Sequence, residues 1–259
     1  MRVKSLAAVL FCLCLWFCGC WGDRHEIETA GNNKDSGAGR IVIIRSIKPT
    51  DVQQKGNVQK KDWQTIYGLM DTDAIRIKET VSGVKRVLPI LNRQMNVVHG
   101  RREMGCQLIG TYPYYPDFTQ SKIVAGQFIN EAEENSKASS CVITLELAEK
   151  LFAGHNPLLE NVVVRGYESD QVFQVKGILQ ERSANVYIPL STFKALYGNR
   201  NINRSTGSLA VEVVELTEIR VEFGSVKEVI PALPLLRNCL NKSRKGKPDY
   251  EIHTPLLQK

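Results

Sequence analysis

The sequence is poor in the patterns that mark enzymes. Its four histidines, His25, His99, His155 and His253, are scattered. None opens the His-Glu-x-x-His run that places two zinc ligands on one helix face. There is no Gly-x-x-x-x-Gly-Lys-Ser/Thr loop, which excludes ATP hydrolysis by that route. A Gly-x-Ser-x-Gly elbow is missing too. Gly37-Ala-Gly39 lies in a polar linker, not between a strand and a helix, so it is no dinucleotide fingerprint. Asp71 and Asp73 are the nearest thing to a carboxylate pair, and a helix start accounts for both through the helix dipole. No residue qualifies as catalytic, cofactor-binding or metal-binding.

Cysteine is unevenly spread. Cys12, Cys14, Cys18 and Cys20 fall near the N-terminus, leaving Cys106, Cys141 and Cys239. Three widely separated thiols make neither a zinc site nor a disulfide framework. Cys141 fits a buried strand as a small apolar residue, and Cys106 to Cys239 is one pairing open to an oxidising compartment. The net charge of +7 falls to +5 if a leader carrying Arg2 and Lys4 is lost, too little to indicate nucleic acid. Long apolar runs are absent except for Leu6 to Trp21, which is uncharged. That is short for a membrane-spanning helix, which needs about 20 residues. Its basic start and small residues suit a secretory signal, and Gly19-Cys20 forms a weak lipidation site. Residues 1–22 therefore read as a signal peptide, cut with or without lipid on Cys20, or as a retained membrane anchor. Each fate leaves the remainder outside the cytoplasm.

What is present is a folded α+β chain, 43% hydrophobic and 24% charged. Residues 23–37 are a polar linker. Ile41 to Ile44 reads as a buried strand. Thr50 to Lys61 reads as an exposed loop. Ala74, Ile77, Val81 and Val84 form a helical stripe stopped by Gly83. Val87 to Leu91 is a strand whose Pro89 points to an edge or a bulge. Gln94–Val98 and Gly105–Ile109 flank a Gly100 turn as a hairpin. Ser140-Cys-Val-Ile-Thr feeds a helix, Leu145 to Phe152, with Thr144 as its cap. Asn130 to Ser136 reads as an acidic loop. Asn161–Gly166 and Gln171–Leu179 are strands, and Asn199–Gly207 a polar loop. Ile219, Val221 and Phe223 alternate with Glu218, Arg220 and Glu222, which predicts one wet face. Ser225 and Glu228 make a capping box. Pro231 and Pro234 predict a break in the helix that follows. Lys242, Arg244, Lys245 and Lys247 read as a basic loop.

Several of these pieces stand in a telling order. Gly110-Thr111 opens a turn, Gly126-Gln-Phe128 follows, and Ser140–Thr144 feeds Leu147-Ala-x-x-Leu-Phe152. A hairpin then ends Val175-Lys-Gly-Ile-Leu179. Upstream lie Arg40-Ile-Val-Ile-Ile-Arg-Ser-Ile-Lys-Pro49 and Val81-Ser-Gly-Val84; downstream lies Val186-Tyr-Ile-Pro189. Over residues 38 to 257 this order resembles the periplasmic core domain of MacB-type ABC transporter permeases. The Asn156-Pro-Leu-Leu-Glu turn lacks the glycine that the family leads one to expect after Pro-Leu.

The resemblance implies two subdomains. A porter-like one of βαβ halves comes from both termini, 38–105 with 206–257. A mixed sabre-like one, 106–205, is inserted between them. It implies a non-enzymatic extracytoplasmic domain, on the periplasmic face of the inner membrane, that couples permease motion to export or to an adaptor protein. The partners implied are an FtsX-like permease subunit, a separate ABC ATPase and a periplasmic adaptor; the N-terminal segment meets the membrane, and there is no cofactor. With no membrane-length run near Lys259, the chain reads as a detached module, a split-gene product or a decayed copy of a permease. The alternative is a standalone exported lipoprotein or binding module on the same fold. Tyr112, Tyr114 and Tyr115 form the densest aromatic patch, either a partner surface or a rigid loop packed between the subdomains.

Overall fold

The computed structural model describes residues 37–48, 64–166, 169–205, 208–244 and 249–257. The expectations for the leader, Cys20 and the 50–61 loop lie outside them, as do Lys245 and Lys247.

A short 3-10 turn, Gly37–Arg40, leads into β1, Ile41–Ser46. β2 is Gln64–Ile66, and α1 runs Asp71–Thr80. Its first turn is closed by Asp73, whose carboxylate accepts the Met70 N–H at 2.8 Å. Gly83, at φ 81°, turns the chain into β3, Val84–His99, a strand of 16 residues. β4, Arg102–Thr111, returns along it. Then come α2 (Tyr115–Thr119), β5 (Ile123–Gly126) and α3 (Glu131–Ser136). β6 (Ser140–Thr144) feeds α4 (Leu145–Phe152), and β7 (Asn161–Arg165) pairs with β8 (Gln171–Leu179). β9 (Asn185–Pro189), α5 (Leu190–Tyr197), β10 (Arg200–Ser205) and β11 (Ser208–Val213) follow. β12 (Glu218–Phe223), α6 (Val226–Arg244) and β13 (Tyr250–His253) complete the order.

The pairings close a ring. β3 pairs β4, β4 pairs β9, β9 pairs β6, β6 pairs β8, β8 pairs β7, and β7 returns to β3. The result is a small six-stranded barrel whose interior is packed with side chains. Alternation decides which ones. Leu108, Ile143, Ile178, Val186 and Ile188 belong to the large core, with Cys106, Cys141 and Phe173. Their neighbours Ile109, Val142, Leu179 and Tyr187 point to a second, aromatic core outside the ring. α4 lies against β3, β4, β6 and β8, with Leu147, Ala148, Leu151 and Phe152 turned inward.

The first half of β3 leaves the ring and pairs β12. β12 pairs β1, and β1 pairs β13, so strands from both ends of the chain share one sheet. α1 and α6 pack on it and continue the large core. β10, β11 and β2 make a separate three-stranded sheet.

Several local expectations are corrected. The acidic stretch is a helix, α3, because Asn130 and Glu133 cap it reciprocally, each bond 2.9 Å. Asn199–Gly207 contains a strand, β10, whose ladder with β11 supplies the order that its polar sequence conceals. α6 is one helix through Pro231 and Pro234. Both prolines are exposed, while Val229, Ala232, Leu233, Leu236, Cys239 and Leu240 form an unbroken buried stripe. A proline costs about 3 kcal/mol in a helix, against about 1.5–3 kcal/mol for each buried large side chain. Cys106, Cys141 and Cys239 are all free and buried, so the disulfide is not formed. Thr144 precedes α4, yet its hydroxyl accepts the Asn185 N–H at 3.1 Å instead of capping.

Candidate functional site: the seam along β3

β3 changes partners in mid-strand. Val84 to Ile90 pair with β12; Leu91 to His99 pair with β4. The handover at Ile90–Leu91 joins the barrel to the flanking sheet with no loop between them.

Thr217, just before β12, fastens the handover. Its N–H donates to Ile90 O at 2.9 Å and its hydroxyl donates to the same oxygen at 3.1 Å. That hydroxyl also accepts the Asn92 N–H at 2.9 Å. One residue earlier, Leu216 N–H donates to Leu69 O at 3.1 Å, and Ser46 Oγ donates to Leu216 O at 2.6 Å. Two consecutive residues thus tie β3, β1 and the entry to α1.

The face of β12 expected to be wet is closed. Glu218 and Glu222 are each only 7% exposed. Arg45 and Arg220 reach Glu218 at 2.9 and 2.5 Å; Arg86 reaches Glu222 at 2.6 Å and Asp117 at 2.9 Å. The Glu222 bond, then the Asp117 bond, raise the Arg86 pKa against the cost of burial. Burial lowers that of Arg220, and the Glu218 charge more than restores it. Aromatic rings cover the guanidinium groups: Phe118 lies 5.0 Å from Arg86 and Tyr115 5.6 Å from Arg220.

The three tyrosines come together beside this ladder. Tyr115 is 5% exposed, with its hydroxyl 3.3 Å from that of Tyr187. Tyr112 and Tyr114 are half-buried and stack at 5.7 Å. Tyr114 donates to Val87 O at 3.0 Å. This half of β3 pairs β12 on one side alone among the described strands, so Pro89, opposite Ile219, lies at a sheet edge, where a missing N–H is tolerated. Burial, first, then Tyr112, pushes the Tyr114 hydroxyl up to about 12. Burial and the nearby Tyr115 and Glu181 push Tyr187 well above the usual range.

On the other side of the seam lies a cleft of about 240 Å³ between β3, β4 and the small sheet. Asn92, Arg93, Gln107, Glu212 and Thr217 line it, with Tyr67. Glu212 is paired with Lys48 at 2.5 Å and accepts the Tyr67 hydroxyl at 3.1 Å. Burial and Glu212 push that hydroxyl up to about 12.

Arg244, expected in a basic loop, ends α6 and is 5% exposed. It pairs with Asp73 at 2.5 Å and Asp249 at 2.7 Å, and donates to Gly68 O at 2.9 Å. Burial pulls its pKa down, and Asp73 more than restores it. Among the described residues no cluster of histidine, cysteine or carboxylate is placed to hold a metal. None of their helices is long and apolar enough to cross a membrane. Thr217, Arg93 and the Arg244–Asp73 pair were not singled out as a site from sequence; each looks like an ordinary polar residue until its partners are placed.

The family model of the MacB-like periplasmic core domain matches residues 28–222. The chain belongs to that family. The family's domain is the periplasmic core domain of MacB-like ABC transporter permeases, a transport component. The fold agrees with the crystal structure of the periplasmic region of MacB from Actinobacillus actinomycetemcomitans. The TM-score is 0.63 at 21% identity, over 87% of this chain and 92% of that one. The extracellular domain of the transporter YknZ from Gram-positive bacteria gives the same TM-score at 20% identity, over 83% of this chain and all of that one. Among curated relatives, the pyoverdine export ATP-binding/permease protein PvdT of Pseudomonas savastanoi pv. phaseolicola is 25% identical over 71% of this chain and 27% of its own. The macrolide export ATP-binding/permease protein MacB of Bdellovibrio bacteriovorus is 24% identical over 81% of this chain and 31% of its own. The MacB-like chain thus spans roughly a quarter to a third of the length of these curated relatives.

Proposed function

We propose that this domain is a mechanical intermediary of an ABC export system. It stands on the periplasmic side of the inner membrane and couples the motion of an FtsX-like permease to export or to an adaptor protein. A separate ABC ATPase supplies the energy. The observation that carries this reading is the continuity of β3, one strand serving as barrel stave and as member of the flanking sheet. A displacement applied at β1, β12 and β13 reaches the barrel through a strand and not through a loop.

In this reading the porter-like part is 38–105 with 206–257 and the sabre-like part is 106–205. The β3–β4 hairpin is the stem that joins them. Tyr112, Tyr114 and Tyr115 stiffen the junction, and the partly exposed pair Tyr112 and Tyr114 offers a partner surface beside it. Residues 1–22 hold the domain at the membrane, by a retained segment or by lipid on Cys20.

The test is affinity purification of the full chain from native membranes. Recovery with a permease of FtsX type and an ABC ATPase supports the coupling role. Recovery alone, with lipid on Cys20, would instead make it a standalone exported module.

A further inference from the structure

Arg93 differs from Arg86, Arg220 and Arg244, arginines that are likewise partly or fully buried. Arg86, Arg220 and Arg244 each sit on a carboxylate. Among the described residues none reaches Arg93. Its contacts are two long hydrogen bonds, to Tyr197 O at 3.3 Å and Gly198 O at 3.4 Å, and the Phe193 ring at 5.5 Å. Burial lowers its pKa, the opposite of the outcome at the other three.

Arg93 lines the seam cleft, where Asn92, Gln94, Gln107 and Asn199 add four carboxamides. Gln107 donates to Gln94 at 2.6 Å, which leaves the amide hydrogens of Gln94 and the oxygen of Gln107 for other partners. Each carboxamide both donates and accepts, as a peptide group does. The acidic group in the cleft, Glu212, is already neutralised by Lys48. Among the described lining residues, the charge left without an acidic partner is therefore the Arg93 cation. One carboxylate matches a single guanidinium; a doubly charged phosphate would bring in a second negative charge with no partner. The volume equals that of about eight waters at about 30 Å³ each, below the range of drug-sized sites.

We propose that the seam cleft binds the carboxylate end of a short peptide, with the carboxylate on Arg93 and the neighbouring peptide group among the carboxamides. Such a ligand would fill the space between the β3–β4 hairpin and the three-stranded sheet, next to Thr217. The inference goes beyond the transport reading and does not depend on it.

The competing role for Arg93 is to cap the C-terminal carbonyls of α5, which is purely structural. Calorimetric titration of the full chain separates the two. Alanylalanine should bind saturably, and alanylalanine amide about tenfold more weakly, because a charge-assisted bond is replaced by a neutral one. Arg93→Gln should weaken the dipeptide about tenfold and no longer distinguish acid from amide, since the two changes remove the same contact. Gln107→Ala, on the half-buried rim, should weaken the dipeptide several-fold with the near-ultraviolet circular dichroism unchanged. If Arg93→Gln does not fold, the acid–amide difference in the unaltered chain and the Gln107→Ala result decide. A ten-residue peptide ending in Ala-Ala distinguishes sources: equal affinity indicates the end of a longer chain, weaker affinity a free small peptide. No saturable binding up to about 10 mM, or equal binding of acid and amide, overturns the proposal.

Discussion

Replacing Thr217 by valine tests the seam directly. Valine keeps the β-branched shape and the backbone N–H bond to Ile90 O. It removes two bonds made by the hydroxyl, one to Ile90 O at 3.1 Å and one from Asn92 N–H at 2.9 Å. The first loss is small, because that carbonyl keeps its backbone partner. The second leaves a peptide N–H to find water, which it can do because Asn92 is exposed. A neutral hydrogen bond contributes about 0.5–1.5 kcal/mol, so the pair amounts to about 1–2 kcal/mol. In a domain of this size 1 kcal/mol moves Tm by about 2–4 °C, giving an expected fall of about 2–8 °C by differential scanning calorimetry. Hydrogen exchange should locate the damage: the Asn92 amide exchanges faster, while amides deep in the β3–β4 ladder keep their protection. A Tm within about 1 °C of the parent, together with unchanged protection at Asn92, would refute the view that Thr217 fastens the handover.

Three further outcomes are expected. Leu159 has φ 69° and is 73% exposed, in the turn where the family pattern led us to expect glycine. A left-handed non-glycine residue costs about 1–2 kcal/mol and glycine loses about 0.4–1 kcal/mol through the unfolded chain, so Leu159→Gly should raise the urea midpoint slightly; a clear loss would contradict the strain. Gly126→Ala should cost more than about 2 kcal/mol by the same measurement, because φ is 71° and an added Cβ would lie 2.1 Å from Lys176 O. Burial resists ionisation of Glu133, but Lys176 at 2.5 Å and the Asn130 N–H outweigh it and hold the pKa below the usual range. The stability this pair contributes is therefore present above about pH 4.3 and lost as pH falls through the folded-state pKa. Lys176→Met should lose stability at pH 7 and approach the parent in acid; an equal deficit at both would show a packing effect only.

Much of the strand content was legible because apolar and β-branched runs do not depend on context. Ile41–Ile44, Ser140–Thr144 and the Gln94–Ile109 hairpin lie where their residues place them. Pro89 gave its position away as well: its half of β3 pairs β12 on one side alone among the described strands, so it lies at a sheet edge. The misses share a cause. β10 is polar, and only pairing with β11 makes it a strand. The prolines of α6 were weighed locally, whereas the buried stripe beneath them decides the matter. Glu218 and Glu222 alternate with apolar residues as exposed carboxylates do, and two distant arginines, Arg45 and Arg86, with Arg220 beside them, pair with them where they are buried. The seam itself was illegible, since no local pattern tells where a 16-residue strand exchanges one partner for another.

The two cores explain why motion would be carried by β3 as a unit. In the strand's first half Val87 faces the large core, while Leu88 and Ile90 face the aromatic one. In its second half Leu91 and Val97 continue into the large core. A slip of one residue would exchange every side chain between the two environments, so sliding along the ladder is strongly opposed. Bending at the handover breaks far less: the contacts of Thr217 there are three hydrogen bonds, two of them made by a single hydroxyl. In the proposed coupling role, the coordinate left to the domain is rotation of the barrel about Ile90–Leu91, resisted by those bonds and by the large core that both parts share.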